Sequence, residues 1–253
     1  MHAVGTDGAT SRDAARALLR RAVELGVRVI DTADVYGDGD SEQLIAEALA
    51  PYRTDIVIAT KGGLVRTQRG ERPERDGRPR QIRRACEASL QRLGVDVIDL
   101  YQLHAPDPKV PLADTVGAMV ELRDAGKIRH IGLSNVNRAQ LAEALAITPV
   151  ASMQNRYNHV DRSAEHVVDT CAELGIAFFP WAPIQVASST AVRAVADRYG
   201  TTVSAVALAW LLARSPVIVP IPGTSSIAHL EDNMAAGDLL LDADDLALLA
   251  PPG

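Results

Sequence analysis

Apolar positions follow two alternating rhythms along the chain. Short runs rich in Val and Ile are separated by longer stretches whose apolar residues recur at helical spacing. The first helical stretch is SRDAARALLRRAVELG, with Ser11 as its predicted N-cap. Leu18, Leu19, Ala22, Val23 and Leu25 form its stripe, and Gly26 is its stop. Predicted strands follow at VRVIDTA (27–33), DIVIAT (55–60), VDVIDLYQL (95–103), IRHIGLS (128–134), VASMQ (150–154), IAFFP (176–180) and VIVPI (217–221). Between and after them the pattern predicts helices at 42–49, 81–93, 112–125, 138–146, 165–174, 188–199, 203–214, 227–236 and 243–249. Seven strands, each separated from the next by helix, predict parallel pairing through helical crossovers. No Gly-x-Gly-x-x-Gly follows any predicted strand, so an open dinucleotide-binding sheet loses its best marker. The even repetition over residues 1–253, with no linker, predicts a single α/β domain of the (β/α)8 TIM-barrel type.

Composition narrows the function. Lys and Arg number 26 against 32 Asp and Glu, a net charge of −6, which argues against a nucleic-acid partner. Apolar residues make up 47% and charged residues 23%, ordinary for a packed chain and unlike a disordered one. Aromatics are only 4%, so Ala, Val, Leu and Ile must build the core. Cys86 and Cys171 form neither a disulfide framework nor a CxxC metal site; both fall in predicted helices, and burial is expected for them. The scattered histidines show no metal-ligand spacing. No apolar run reaches the roughly 18 residues of a membrane span. The N-terminus lacks a signal-peptide pattern, and a cytoplasmic location is expected.

Chemistry collects where a β/α barrel places it, just after the strands. There the sequence sets Asp31 and Tyr36, then Lys61, His104, Ser134 and Asn135, Gln154 and Asn155, Trp181, and the run Gly223, Thr224, Ser225, Ser226. Asp31, Tyr36, Lys61 and His104 make a chemical set. A tyrosine titrates near about 10, and a neighbouring ammonium favours its phenolate and lowers that value. A carboxylate can hold the lysine, and a histidine can donate to a carbonyl oxygen. Taken singly, each has a plainer reading: a cap, a solvated amine, a core histidine. The run GTSS precedes a helix, so its N–H groups could hold phosphate while Ser226 serves as N-cap.

The segments VIDTADVYG, ATKGG, DLYQLH, GKIRHIGLSN, MQNRYN, FFPWAPI and IPGTSSIAHLEDN, running from about residue 12 to 250 in order, resemble the aldo-keto reductase family. The resemblance implies a barrel that reduces the carbonyl of a small-molecule aldehyde or ketone with a nicotinamide cofactor. It implies Tyr36 as general acid, Lys61 and Asp31 as its tuning pair, and His104 orienting the carbonyl. It also implies that Ser134, Asn135 and Gln154 hold the nicotinamide carboxamide, that Trp181 stacks on its ring, and that Asn233 contacts adenine. Ala182, Pro183, Ile184, Gly223, Thr224, Ser225, Ser226, His229 and Asp232 complete the implied cofactor set. NADP(H) is the implied cofactor, with NAD(H) as the alternative. Family members that prefer NADP often carry Lys or Arg in the 2′-phosphate pocket, where this chain has Gly223, Thr224, Ser225, Ser226 and His229, and Ala182 stands where many have a hydroxyl.

The family also has a strand ahead of the first helix. Its sequence is missing here, so the expectation is either a start codon further upstream or an open barrel with residues 1–10 partly filling the gap. The stretch 62–80, rich in Gly, Pro and Arg, reads as a solvated loop balanced by Glu71, Glu74 and Asp76, with attraction of an anionic substrate as the other reading. Two rival functions stand beside reduction: a nicotinamide-binding sensor or regulatory barrel with little turnover, and a barrel lyase or isomerase. The substrate and the oligomeric state are not readable from the sequence.

Overall fold

In the computed structural model, residues 9–66, 73–185 and 190–250 are described. The chain divides into two compact units, residues 1–153 and 154–253.

In the first unit, α1 (Ala9–Glu24) buries Leu18, Leu19, Ala22 and Val23 and turns out of its helix at Gly26, whose φ is +101°. The helix begins two residues before the predicted cap at Ser11, and Leu25 lies beyond it, only half-buried. Next come β1 (Val29–Asp31), α2 (Asp40–Leu49), β2 (Val57–Gly62), β3 (Leu64–Val65), β4 (Glu74–Arg75) and α3 (Pro79–Leu93). They are followed by β5 (Ile98–Leu103), α4 (Leu112–Asp124), β6 (Ile128–Ser134) and α5 (Arg138–Leu145). β7 (Ser152–Gln154) starts at the end of this unit. Helix ends follow the local chemistry. Pro79 opens α3, Gly94 at φ +67° closes it, and Asn137 with Gln140 forms a capping box on α5.

β1, β2, β5 and β6 pair side by side, all parallel. Their registers align Asp31 with Ala59, Lys61 with Gln102, and Gln102 with Gly132. Side chains alternate along a strand, so Asp31, Lys61, Gln102, Gly132 and Ser134 share one face. Gly132 is needed there, because a Cβ on it would lie 2.2 Å from Ser152 Oγ and 2.8 Å from Gln102 Cγ.

The predicted loop 62–80 is not wholly irregular. Its flanks pair as the antiparallel β3 and β4, Leu64 with Arg75 and Val65 with Glu74, while residues 67–72 lie outside the described residues. Asp76 is tied to Arg78 at 2.6 Å, and Asp107 accepts from the Gly77 N–H.

The second unit holds α6 (Glu165–Leu174), β8 (Ala177–Phe178), α7 (Thr190–Tyr199), α8 (Val203–Arg214), α9 (Ile227–Ala235) and α10 (Ala243–Leu248). Every residue from Ala205 to Leu211 of α8 is buried, the mark of a helix that is apolar all round. Tyr157 stacks on Trp210 at 5.7 Å and meets Phe178 edge-on at 5.9 Å, so these three aromatics form one cluster. The predicted strand VIVPI makes only an isolated parallel bridge, Phe178 with Ile218, through the Phe178 N–H to Val217 O and the Val219 N–H to Phe178 O. Pro216, Pro220 and Pro222 supply no N–H, which stops the ladder from extending. Of residues 1–10, expected from the sequence to fill part of the gap of an open barrel, Ala9 and Thr10 begin α1, and residues 1–8 lie outside the described residues. Among the described residues no helix is long and apolar enough to cross a membrane.

Gly132→Ala is expected to lower stability by about 1–3 kcal/mol through overpacking. Adding Ser152→Ala should recover part of the loss, both read by urea unfolding. An unchanged midpoint for Gly132→Ala would show that the strands move apart freely at this point.

Candidate active site

The sheet register gathers the charged groups of the first unit. Lys61 is fully buried on β2, and its Nζ donates to Asp31 Oδ2 at 2.6 Å and to the Thr32 carbonyl at 2.8 Å. The other carboxylate oxygen, Oδ1, accepts from Gln102 Nε2 at 3.1 Å, and Gln102 Oε1 accepts from Ser152 Oγ at 3.4 Å. The two opposite charges, out of water, are thus supplied with partners on both sides. Such a pair tolerates burial only when its remaining donors and acceptors are satisfied.

Tyr36 and His104 stand over this network. The turn after β1 carries Tyr36, and the Tyr36 ring centroid lies 5.5 Å from Lys61 Nζ. The His104 ring lies 5.7 Å from that of Tyr36, at an interplanar angle of 82°. His104 follows β5, its N–H bound to Gly62 O at 2.8 Å and its carbonyl to Asn135 Nδ2 at 2.9 Å. Asn135 takes φ +57°, a left-handed conformation that asparagine tolerates better than most residues, and its amide also donates to Ser134 Oγ at 3.0 Å. The Tyr36 phenol is raised above its ordinary value, first by burial and then by the charges of Asp31 and Asp34. This differs from the lowering expected of an adjacent ammonium: desolvation of the phenolate outweighs it.

Asp31, Tyr36, Lys61, His104, Ser134 and Asn135 are therefore all placed in the first unit. The second unit holds the other sequence-derived positions. Gln154 is buried. Trp181 bridges to Arg156, receives that guanidinium 5.5 Å from its ring centroid, and donates its backbone N–H to Asn155 O at 3.0 Å. Ala182 has φ +53°, its carbonyl accepts from Asn158 Nδ2, and Pro183 is buried after it. A cavity of about 200 Å³ brings together Ile184, Gly223, Thr224, His229, Asp232 and Asn233. Thr202 and Ser204 complete its lining. Ser225 and Ser226 do not line it. Ser226 caps α9 instead, accepting from the His229 N–H at 3.4 Å.

Sequence reasoning missed three residues. Gln102 lies inside the motif DLYQLH, two positions before His104 and so on the same strand face; a polar side chain in a buried run was the available signal. Thr202 and Ser204 stand at the start of α8, where Thr202 reads as an N-cap and nothing marks a cavity.

A model of the Aldo/keto reductase family matches residues 1–191 and 185–250. An uncharacterized oxidoreductase of Schizosaccharomyces pombe is 43% identical over 251 residues, covering 98% of this chain and 81% of that one. The chain belongs to the aldo/keto reductase family. Pyridoxine 4-dehydrogenase of Escherichia coli is 40% identical over 249 residues, covering 94% of this aldo/keto reductase and 86% of its own length. A crystal structure of an aldo-keto reductase from Klebsiella pneumoniae in complex with NADPH superposes with a TM-score of 0.82 at 30% identity, covering 96% of this chain and 86% of that one. The likeness shows the expected α/β fold of the (β/α)8 type for this aldo/keto reductase.

Cys86 and Cys171 are buried as expected, and burial pushes both thiols up to about 12, far from a reactive thiolate.

Lys61→Met should strand the Asp31 carboxylate in the core at a cost of about 3–5 kcal/mol. Lys61→Met with Asp31→Leu, which removes both charges, should recover much of it. Urea unfolding reads both, and wild-type stability in the single variant would show the pair to be inconsequential.

Proposed function

We propose that this aldo/keto reductase reduces the carbonyl of a small aldehyde or ketone with NADP(H), Tyr36 serving as general acid. The observation that carries the reading is the grouping of Tyr36 and His104 over the buried Lys61–Asp31 pair. The chemistry the bound cofactor would supply is a hydride for the carbonyl carbon.

The protein's part is positional and electrostatic. As negative charge develops on the carbonyl oxygen, Tyr36 Oη gives up its proton to that oxygen, leaving an alcohol and a phenolate. An alkoxide is a stronger base than phenolate, so the transfer runs downhill even from a phenol of raised pKa. The Lys61 ammonium, 5.5 Å from the ring centroid, stabilises the phenolate that results. Asp31, Gln102 and the Thr32 carbonyl hold that ammonium in place. His104 orients the substrate oxygen, its backbone fixed by Gly62 and Asn135. A high phenol pKa keeps the acid loaded throughout neutral pH.

Ser134, Asn135, Gln154 and Trp181 would hold the nicotinamide end. The cavity lined by Thr202, Ser204, Thr224, His229 and Asn233 fits a polar adenosine end, since each of these side chains can donate or accept a hydrogen bond. NADP(H) is favoured because the similar aldo-keto reductase of Klebsiella pneumoniae binds NADPH. Among the described residues neither Lys nor Arg lines that cavity, so NAD(H) is the cofactor to compare. A small-molecule substrate and a cytoplasmic setting complete the reading. The relative named pyridoxine 4-dehydrogenase makes pyridoxine the first alcohol to try in the oxidising direction.

The test is oxidation of NADPH, followed at its absorbance band, with nitrobenzaldehyde, phenylglyoxal and simple ketones. Tyr36→Phe should lower kcat by about 100-fold or more while NADPH still binds, and wild-type turnover in that variant would end the assignment. Reduction needs the protonated phenol, so its kcat should hold as pH rises to about 10, the ordinary tyrosine value. Alcohol oxidation needs the phenolate and should still be climbing there. A reduction limb falling near neutral pH would contradict the raised phenol.

A further inference from the structure

A second cavity, of about 450 Å³, opens in the first unit between the turn after β1, the β3 strand and one face of α3. Its size falls within the range of about 300–1,000 Å³ typical of small-molecule sites. Its apolar lining is Val35, Leu64, Val65, Ala85 and Ala88; its polar lining is Asp34, Asp38, Arg66, Gln81, Arg84 and Arg92. Gln81, Arg84, Ala85, Ala88 and Arg92 recur at helical spacing, so α3 turns one continuous face to it.

The cations in this lining are not equivalent. Arg66 is held by Asp38 at 3.0 Å and by the Val35 carbonyl. Arg92 is held by the fully buried Glu42 at 2.7 Å, which also accepts from Thr60 Oγ1 at 2.6 Å. Among the described residues Arg84 has neither an ion pair nor a side-chain hydrogen bond, and the Gln81 side-chain amide is likewise uncommitted. In the same lining, Asp34 Oδ1 is buried with no hydrogen-bond partner among the described residues. One unmatched guanidinium, one uncommitted amide and one orphaned carboxyl oxygen therefore line the same small space, backed by apolar side chains.

We propose that this cavity binds a small organic oxyanion whose acid group sits on Arg84 and Gln81 and whose apolar body packs against Leu64, Val65, Ala85 and Ala88. Guanidinium is the side chain best matched to a carboxylate or phosphate, with paired N–H donors in one plane. Asp34 has its proton held to about 7, first by burial and then by the charge of Glu42, against the opposing charges of Arg92 and Lys61. Asp38, Arg66 and Arg84 are the other charged groups lining the space. Below about 7 the neutral Asp34 carboxyl can donate to the ligand; above it, the carboxylate repels the ligand. Binding of the anion therefore takes up a proton, and affinity falls as pH rises through 7.

Titration calorimetry of the full chain tests this, with benzoate and phenyl phosphate as separate probes and benzyl alcohol as the neutral control. At about pH 6 at least one of the acids should bind, and the alcohol should not. Arg84→Ala should weaken that binding at least about 10-fold and leave carbonyl reduction unchanged. Arg84→Lys should restore only part, lacking the planar fork. The stronger of the two probes tells carboxylate from phosphate recognition. Affinity for benzoate, whose charge is constant over this range, should fall several-fold between about pH 6 and about pH 8, and Asp34→Asn should flatten that dependence. Absence of binding by both acids, or binding that Arg84→Ala leaves intact, overturns the proposal. A pH dependence that survives Asp34→Asn overturns the role given to that carboxyl.

Discussion

The 2.6 Å contact between Lys61 Nζ and Asp31 Oδ2 is the constraint around which the first unit is built. An ammonium and a carboxylate withdrawn from water are tolerated only in a setting that replaces their hydration group by group. The sheet register does this: Asp31, Lys61 and Gln102 fall on one face, and the Thr32 carbonyl takes up a further lysine proton. Shift any of these strands by one residue and the side chains turn to the opposite face, leaving a bare charge behind. The pair adds little net free energy of its own, but it makes the wrong registers costly. Gly132 belongs to the same constraint, since only a residue without Cβ lets Gln102 and Ser152 meet beneath the pair.

Legibility in the sequence followed physical distance along the chain. Most helices and strands could be read because their signals are local: apolar period, Gly stops and the Ser226 cap. The strand ends that carry Asp31, Lys61, His104 and Ser134 were legible for the same reason. VIVPI read as a strand from its β-branched residues, but its flanking prolines limit it to a bridge. The pairing of Leu64–Val65 with Glu74–Arg75 went unread because two-residue strands leave no period to detect. Gln102 was visible as a letter but not as a partner, since its role depends on a register set by three other strands. Thr202 and Ser204 were hidden in a different way: they reach the cavity from a helix far along the chain from the GTSS run. The direction of the Tyr36 shift could not be read at all, because burial is a property of the folded chain and here outweighs the nearby positive charge.

The two families of polar contacts in the first unit differ in kind. Around Asp31 and Lys61 the donors and acceptors named above are matched, and the result is rigidity. Around the second cavity, Arg66 after β3 and Arg92 on α3 are matched in the same way by Asp38 and Glu42, while Arg84 has no such partner among the described residues. A fold can leave a cation uncommitted at little cost when solvent reaches it, whereas the orphaned oxygen of Asp34 is buried and costs stability. The contrast separates groups held by the fold from groups left available to something outside it.

Thr202 shows how a structural duty can dictate a chemical one. Its Oγ1 accepts the Ala205 N–H at 3.1 Å as the cap of α8, and it also lines the cavity with His229 and Asn233. A hydroxyl has one hydrogen and two lone pairs. With one lone pair committed to the helix, the hydrogen and the second lone pair are left over. The cap thereby fixes where this hydroxyl sits while leaving it able both to donate and to accept, and a serine in its place would keep that capacity where an alanine would erase both the cap and the offer.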